Sequence, residues 1–215
     1  MFIGHLALGL AAKRATPQLS LAVLFAAAQF ADLLWPIFLA IGIEQVRIDP
    51  GNTAFTPLDF VSYPYSHSLA MLIVWGVVFG SLVAGWSRRK VFGVIAALVV
   101  SHWVLDFITH RPDMPLYPGG PQVGLGLWNS IPGTVAVEVP MYLAGLWVYY
   151  ASTRPRDRVG RIGFGFFGAA LLLLYVGNLF SPPPPSVTAL WVAAIVGTVI
   201  ILAAALWTDR HRDAI

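Results

Sequence analysis

The chain has 215 residues, of which 58% are hydrophobic and only 11% are charged, and its mean hydropathy is +0.75. A soluble domain carries about 25% charged residues, so this composition excludes an ordinary soluble core and is typical of a chain that lies mostly in lipid. The absence of cysteine excludes disulfides and thiolate metal sites. The net charge of +3 does not require nucleic acid, because basic residues of membrane proteins collect in cytoplasmic loops, and we expect no nucleic-acid partner.

Seven apolar segments follow one another along the chain. They predict an all-α, polytopic membrane protein of about seven helices, which forms a single integral membrane domain, 1–215. A membrane span needs roughly 20 apolar residues, so the first segment is too short to span alone. We expect it to be a retained short helix, because it lacks the basic region and cleavage site of a signal peptide. Pro36 should kink the long second segment. The segments are 2–12, 19–43, 66–86, 91–110, 134–151, 162–180 and 187–207.

The basic residues indicate how the segments are oriented. If the N-terminus lies outside and the segments alternate, 11 of the 13 Lys and Arg residues fall inside, and only Arg47 and Arg111 fall outside. This asymmetry predicts an outer N-terminus and an inner C-terminus, in the cell (inner) membrane. The long loops 44–65 and 111–133 then lie on the outer side.

Seven ionisable side chains from five segments are predicted to share one depth near the outer side of the membrane. Burying one charge costs about 2.5–3.5 kcal/mol on insertion scales, so their concentration in one layer indicates a function. Segments 162–180 and 187–207 contain no Asp, Glu, His, Lys or Arg. We therefore expect residues 1–140 to hold the site and residues 141–215 to be a helical scaffold. The seven side chains are His5, Asp32, His67, His102, Asp106, His110 and Glu138.

The spacing of His102 and Asp106 places an imidazole and a carboxylate one turn apart on one helix face, where they can share a metal ion. His110 continues this face by one turn. Nitrogen and oxygen ligands suit zinc, with manganese or iron as alternatives. Five to seven candidate ligands are too many for one tetrahedral ion and are enough for two ions. Two ions about 3.5–4 Å apart activate water and stabilise a phosphoryl centre.

Other roles remain open for several of these residues. His110 precedes a proline at a helix end and could simply meet terminal carbonyls. Asp32 could relay protons, and His67 could belong to a helix cap. Glu138 could pair with Arg111.

Five motifs stand out over residues 1 to about 140: MFIGH at 1–5, QFADLLWP at 29–36, YPYSHSL at 63–69, SHWVLD at 101–106 and HRPDMPL at 110–116. They resemble the YdjM-type family of bacterial membrane-bound metal-dependent hydrolases. The order of His, Asp, His and His-x3-Asp is also similar to the zinc-dependent phospholipase C and single-strand nuclease superfamily. Those soluble helical enzymes hold three zinc ions and cleave phosphoesters.

The resemblance implies a ligand set. His67, His102 and Asp106 would hold one metal ion. His5 would hold a second ion together with Asp106, which makes Asp106 the bridge. Asp32 would be a metal-linked carboxylate or the general base.

The resemblance is incomplete at the third zinc of the soluble enzymes. His110 could match one histidine of that site. The following H-x3-E pair reads Thr134-x3-Glu138 here, so its histidine is missing. We therefore expect two ions rather than three.

These features predict a membrane-bound metal-dependent hydrolase that cleaves a phosphoester, such as a lipid head group, at the extracytoplasmic face. Asp32 and Asp106 are the predicted catalytic residues. Arg111 and Asn129, in the second outer loop, are predicted to contact the lipid or lipid-linked substrate. The alternatives are a zinc amidase or acyl hydrolase of lipids, a transporter of metal ions or protons, and a scaffold with a structural metal. A transporter should carry ionisable groups at several depths, and the inner halves of the segments nearly lack them. Asp59 and Asp113 are expected to form turns.

Overall fold

The computed structural model describes residues 1–84 and 88–215, and most of these residues are helical. Four of the described helices, Arg89–Thr109, Ile131–Ala151, Arg158–Leu179 and Val187–Arg210, are long and apolar enough to cross a membrane. The bent pair Leu21–Ala28 and Phe30–Ala40 would make a fifth span. The prediction of an all-α membrane protein is confirmed at this level, while the count of seven helices and the orientation stay predictions. The helices are α1 (Ile3–Ala12), α2 (Leu21–Ala28), α3 (Phe30–Ala40), α4 (Pro64–His67), α5 (Leu69–Ala84), α6 (Arg89–Thr109), α7 (Ile131–Ala151), α8 (Arg158–Leu179) and α9 (Val187–Arg210).

The second predicted segment is broken at a different place from the one expected. Gln29 leaves the helical conformation at φ −101° and ψ 18°, and α2 and α3 meet there at an angle of 62°. Pro36 stays inside α3, where it removes one helical hydrogen bond, to the carbonyl of Asp32. The break places Asp32 in the first turn of α3, where the positive end of the helix dipole favours a carboxylate. The end of predicted segment 66–86 lies outside the described residues.

Short antiparallel strand pairs lie in the connecting loops, and the fold class remains all-α. The pair β1 (Gln45–Ile48) and β2 (Leu58–Ser62) occupies the first predicted outer loop. The second outer loop contains β3 (Met114–Pro115), β4 (Gln122–Val123) and a 3-10 helix, Leu127–Asn129. At the other end of the bundle, β5 (Thr153–Pro155) pairs with β6 (Arg212–Ala214).

Helix α1 lies at the centre of the bundle although it has only 10 residues. At about 1.5 Å per residue it covers roughly half of a hydrocarbon core of about 30 Å. Its apolar side chains Ile3, Leu6 and Leu10 are fully buried, and α7 is its main partner. At Gly145 of α7, a Cβ atom would lie 2.6 Å from the carbonyl oxygen of Ala7, so only glycine permits this close approach.

The far end of α1 is fixed by a buried polar group. Lys13 Nζ lies 2.8 Å from Asp209 Oδ2 at the end of α9. The same carboxylate accepts hydrogen bonds from the Tyr149 hydroxyl at 2.7 Å and from the Leu21 backbone N–H at 3.0 Å. Helix α6 begins with the basic residues Arg89 and Lys90, and Asp106 lies near its other end. The predicted basic side and the predicted ligand layer thus occupy opposite ends of the bundle.

Candidate metal centre

Four helices bring their predicted ligands together at one end of the bundle. His5 lies in the first turn of α1, Asp32 in the first turn of α3, and His67 at the end of α4. His102 and Asp106 lie in the last two turns of α6. Four of these five side chains are at most 3% exposed, whereas the side chain of Asp32 is 39% exposed. The layer predicted from the sequence is therefore a real cluster with one accessible carboxylate.

Asp106 is the centre of this cluster. Its Oδ1 lies 3.0 Å from His5 Nε2, and its Oδ2 lies 3.1 Å from His102 Nε2. His67 Nε2 is 3.9 Å from Oδ2, and the Met1 amino group donates to Oδ1 at 2.6 Å. The rings of His5 and His102 stack at a centroid distance of 3.7 Å. Because each oxygen faces a different imidazole, this carboxylate has the arrangement that a bridging ligand needs.

Asp32 forms the second side of the cluster. Its Oδ1 lies 3.5 Å from His67 Nε2 and 3.8 Å from His102 Nε2. The cluster thus contains two groups of donor atoms, and within each group all atoms lie within 4.8 Å of one another. Ligand distances of about 2.0–2.2 Å to a single ion fit this spacing. The two groups are His5–His102–Asp106 and Asp32–His67–His102.

His102 belongs to both groups, and the tautomer of its ring suits a ligand. Its Nδ1 lies 2.8 Å from the carbonyl oxygen of Ala28, which only accepts, so Nδ1 carries the proton. Its buried Nε2 makes no hydrogen bond of normal geometry within the described ranges, although Asp106 is close. This nitrogen presents a lone pair to the cluster, as metal-bound histidines do, and it can bind one ion only.

A relay of two side chains orients His67 in the same way. Glu44 Oε2 accepts from the Ser66 hydroxyl at 2.6 Å, and Ser66 Oγ lies 2.7 Å from His67 Nδ1. Since the serine hydroxyl donates to the carboxylate, its oxygen accepts from a protonated Nδ1. The lone pair of His67 Nε2 therefore points towards Asp32 and Asp106.

Glu44 and Ser66 were not predicted from the sequence. Ser66 directly precedes a candidate ligand, and that adjacency is a usable signal. Glu44 lies 22 residues before Ser66, and only the fold reveals that the two side chains meet.

His110 lies at the edge of the cluster rather than inside either donor group. Its Nε2 is 3.9 Å from Asp106 Oδ2, and its Nδ1 is 3.0 Å from Asp113 Oδ1. The hydroxyl of Tyr63, whose pKa is raised well above its ordinary value by burial, donates to the same Asp113 oxygen at 2.9 Å. Burial lowers the pKa of His110, which favours the neutral imidazole. The ring packs against Trp128 at a centroid distance of 4.2 Å.

A chain of ion pairs supports His110 from the loop side. Asp113 Oδ2 accepts from Arg111 Nε at 3.2 Å, and Arg111 also pairs with Asp59. Arg47, in turn, donates to Asp59 at 2.5 Å. Asp113 lies in a turn as expected, whereas Asp59 lies in strand β2, and both carboxylates also pair with Arg111. Arg111 makes structural contacts here, and its role in substrate binding stays a prediction.

Glu138 lies beside the cluster but outside both donor groups. Its Oε2 accepts from the backbone N–H of Phe2 at 3.0 Å and of Gly4 at 3.2 Å. This carboxylate therefore caps the N-terminus of α1 from the neighbouring helix. The alternative pairing of Glu138 with Arg111 is wrong, because that arginine pairs with loop aspartates. Asn129 is exposed at the end of the 3-10 helix, and its predicted substrate contact stays a prediction.

Comparisons with protein-family models, with curated proteins and with solved structures found no match for this chain.

Proposed function

We propose that the chain is a membrane-bound metal-dependent hydrolase that holds two divalent ions, with zinc favoured, around Asp106. The proposal depends above all on the two oxygens of Asp106, which lie 3.0 and 3.1 Å from the Nε2 atoms of His5 and His102. Nδ1 of His67 and Nδ1 of His102 already make hydrogen bonds, to Ser66 and to the carbonyl of Ala28. Both rings are therefore held with the lone pair of Nε2 towards the cluster. Histidine ligands in metalloproteins are oriented by such outer partners.

The donor set also fits the chemistry of the proposed ions. All candidate donors are imidazole nitrogens and carboxylate oxygens, which suit zinc and, less well, manganese or iron. His102 can serve one ion, and Asp106 can bridge to a second ion that His5 helps to hold. When bound, two such ions supply an activated water and stabilise charge on a phosphoryl group.

The protein side chains would then perform the proton chemistry. Asp32 is the one carboxylate of the cluster with substantial exposure, at 39% of its side chain, so it can reach both water and substrate. We assign it the role of general base. It would take a proton from the attacking water as the water oxygen bonds to phosphorus and the ester P–O bond breaks, and it would then return this proton to the departing alkoxide. The buried histidines and Asp106 exclude bulk water from the opposite side.

Two further observations support the proposed class of enzyme and the proposed side of the membrane on which its site lies. The motifs at 1–5, 29–36, 63–69, 101–106 and 110–116 resemble the YdjM-type family, and their predicted ligands meet in the fold. The cluster also lies at the end opposite Lys13 and the basic C-terminal region. Because basic ends of membrane helices favour the cytoplasm, the proposed site faces the extracytoplasmic side.

Metal analysis of the purified protein tests the proposal directly. We expect about two zinc ions per chain in the native protein, fewer in His102→Ala and Asp106→Asn, and hydrolysis of bis(p-nitrophenyl) phosphate that both variants lose. His211→Ala is the matched control, because this histidine pairs with Asp157 far from the cluster. Unchanged metal content and hydrolysis in His102→Ala would refute the proposal. Cleavage of an amide instead of the phosphodiester, or metal uptake into proteoliposomes that Asp32→Asn abolishes, would favour the amidase or the transporter.

A further inference from the structure

A cavity of about 430 Å³ lies directly beside Asp32. One wall comes from the junction of α2 and α3, with Gln29, Asp32 and Trp35, and the opposite wall comes from α8 and α9. The two helices predicted to be scaffold thus line the space in front of the accessible carboxylate. The site therefore extends beyond residues 1–140.

The wall next to Asp32 carries two polar groups without partners. Gln29 is 9% exposed and Trp35 is 7% exposed. Among the described residues, neither Gln29 Oε1 nor Trp35 Nε1 has a hydrogen-bond partner. Buried polar groups without partners are uncommon and indicate a ligand or water that completes them. The Trp35 N–H and the Gln29 NH2 can donate to the oxygens of a phosphoester head group, whereas the unpartnered Gln29 Oε1 accepts from a hydroxyl or ammonium of the head group or from water.

The opposite wall is mostly apolar, with Asn178 and Thr198 as its polar residues. The α9 residues that line the cavity extend from Leu190 to Ile201 and cover about 16 Å along the helix axis. This distance is close to the depth of one leaflet, about half of a 30 Å hydrocarbon core. Only 6% of the apolar window of α9 is buried inside the protein, so the outer face of this helix contacts the bilayer. At Gly197 a Cβ atom would meet nothing within 4 Å, which shows open space at this point.

We infer that this cavity binds a membrane lipid whose phosphoester head group lies at Asp32 and whose hydrocarbon chain lies along α9. The lipid enters sideways from the bilayer, and its head meets Trp35 and Gln29 before it reaches the metal cluster. The inference rests on the proposed function for the reaction, but the binding itself does not require hydrolysis. Binding of the lipid and hydrolysis of the lipid are therefore tested by separate measurements.

Gly197→Trp fills the cavity with an indole ring and leaves the metal cluster intact. Gly165→Trp is the matched control, because this exposed glycine of α8 also has open space around its Cβ position and does not line the cavity. The native protein and both variants are placed in nanodiscs of phosphatidylethanolamine and phosphatidylglycerol that contain two probes, a phospholipid with a photoreactive diazirine in its head group and one with a diazirine in its acyl chain. Mass spectrometry then maps the labelled residues.

We expect the head-group probe to label Trp35 in the native protein and in Gly165→Trp, and the label on Trp35 to fall at least tenfold in Gly197→Trp. Phe166, which is 72% exposed on α8, reports contact with bulk lipid and should be labelled by the acyl-chain probe in all three proteins. Hydrolysis of the nanodisc phospholipids should fall at least tenfold in Gly197→Trp, while the zinc content changes less than twofold.

Absence of label on Trp35 in the native protein would overturn the inference. So would equal labelling of Trp35 in the two variants, or crosslinks showing that a second copy of the chain fills the cavity. If label reaches Trp35 as expected but no phosphoester is cleaved, the lipid site stands and the proposed function fails.

Discussion

Replacement of Glu44 by glutamine tests whether residues behind His67 determine its role at the metal centre. Glu44 is 2% exposed, and its Oε1 accepts from the backbone N–H groups of Tyr65 and Ser66 at 2.9 and 2.8 Å. In Glu44→Gln the amide oxygen must keep facing these two donors, which places the amide NH2 against the Ser66 hydroxyl. The hydroxyl then donates to His67 Nδ1, so the imidazole proton moves to Nε2. That nitrogen faces Asp32 and is the one proposed to bind metal.

Loss of an outer partner of a metal ligand typically lowers metal affinity by about 10–100-fold, or about 1.4–2.8 kcal/mol. We expect a loss of this size for Glu44→Gln, measured by competitive zinc titration of the purified protein in detergent. Ser66→Ala should lie at the lower end, because His67 can then adopt either tautomer. Asp49→Asn makes the same chemical change at an exposed loop position and serves as the control. A Glu44→Gln protein that melts like the native protein and binds zinc equally well would refute the reasoning.

Three further substitutions have distinct expected results. Asp209→Ala leaves Lys13 buried without its partner, and breaking a buried ion pair costs about 3–5 kcal/mol, so thermal denaturation in detergent should occur at a clearly lower temperature. Glu138→Ala removes the acceptor of two backbone N–H groups at the start of α1, so we expect a loss of about 0.5–2 kcal/mol in stability and a lower zinc content. Asp113→Asn perturbs the orientation of His110, whose Nε2 lies 3.9 Å from the Asp106 carboxylate, and should lower zinc affinity by less than about tenfold.

The controls for these substitutions come from the surface of the same chain. Asp213→Ala removes an ion pair with Arg156 in which both side chains are more than half exposed, and such pairs contribute about 0–1 kcal/mol. A stability loss equal to that of Asp209→Ala would contradict the assigned role of the buried pair. If Glu138→Ala kept native zinc content, the cap on α1 would not position His5. If Asp113→Asn lowered affinity as strongly as Glu44→Gln, His110 would be a direct ligand.

The position of the cluster could be predicted because two regular patterns determine it. Helical periodicity put His102 and Asp106 on one face, and the alternation of the segments assigned each predicted ligand to one end of the membrane. His5, Asp32 and His67 meet them there in the structure. The contacts depend on the paths of the loops, which no periodicity encodes.

Two of the three features that the sequence did not predict share this physical cause, and the third, the break at Gln29, is local. The break at Gln29 results from the local backbone conformation and is not marked by a proline. Glu44 accepts a hydrogen bond from Ser66 across the segment that joins α3 to α4, and Arg111 pairs with Asp59 rather than with Glu138. Each of these contacts joins residues that are far apart in sequence, so the residue types alone left several partners open.

Helix α1 connects the two ends of the molecule, and this connection links stability to the metal centre. Glu138 fixes its first turn, next to His5, and the pair of Lys13 and Asp209 fixes its last residue. A helix of 10 residues is too short to be stable by itself, so its position depends on packing and on these two polar anchors. His5 can face Asp106 only while both anchors hold. Loss of the distant anchor in Asp209→Ala should therefore weaken zinc binding at the opposite end, although no cluster residue is changed.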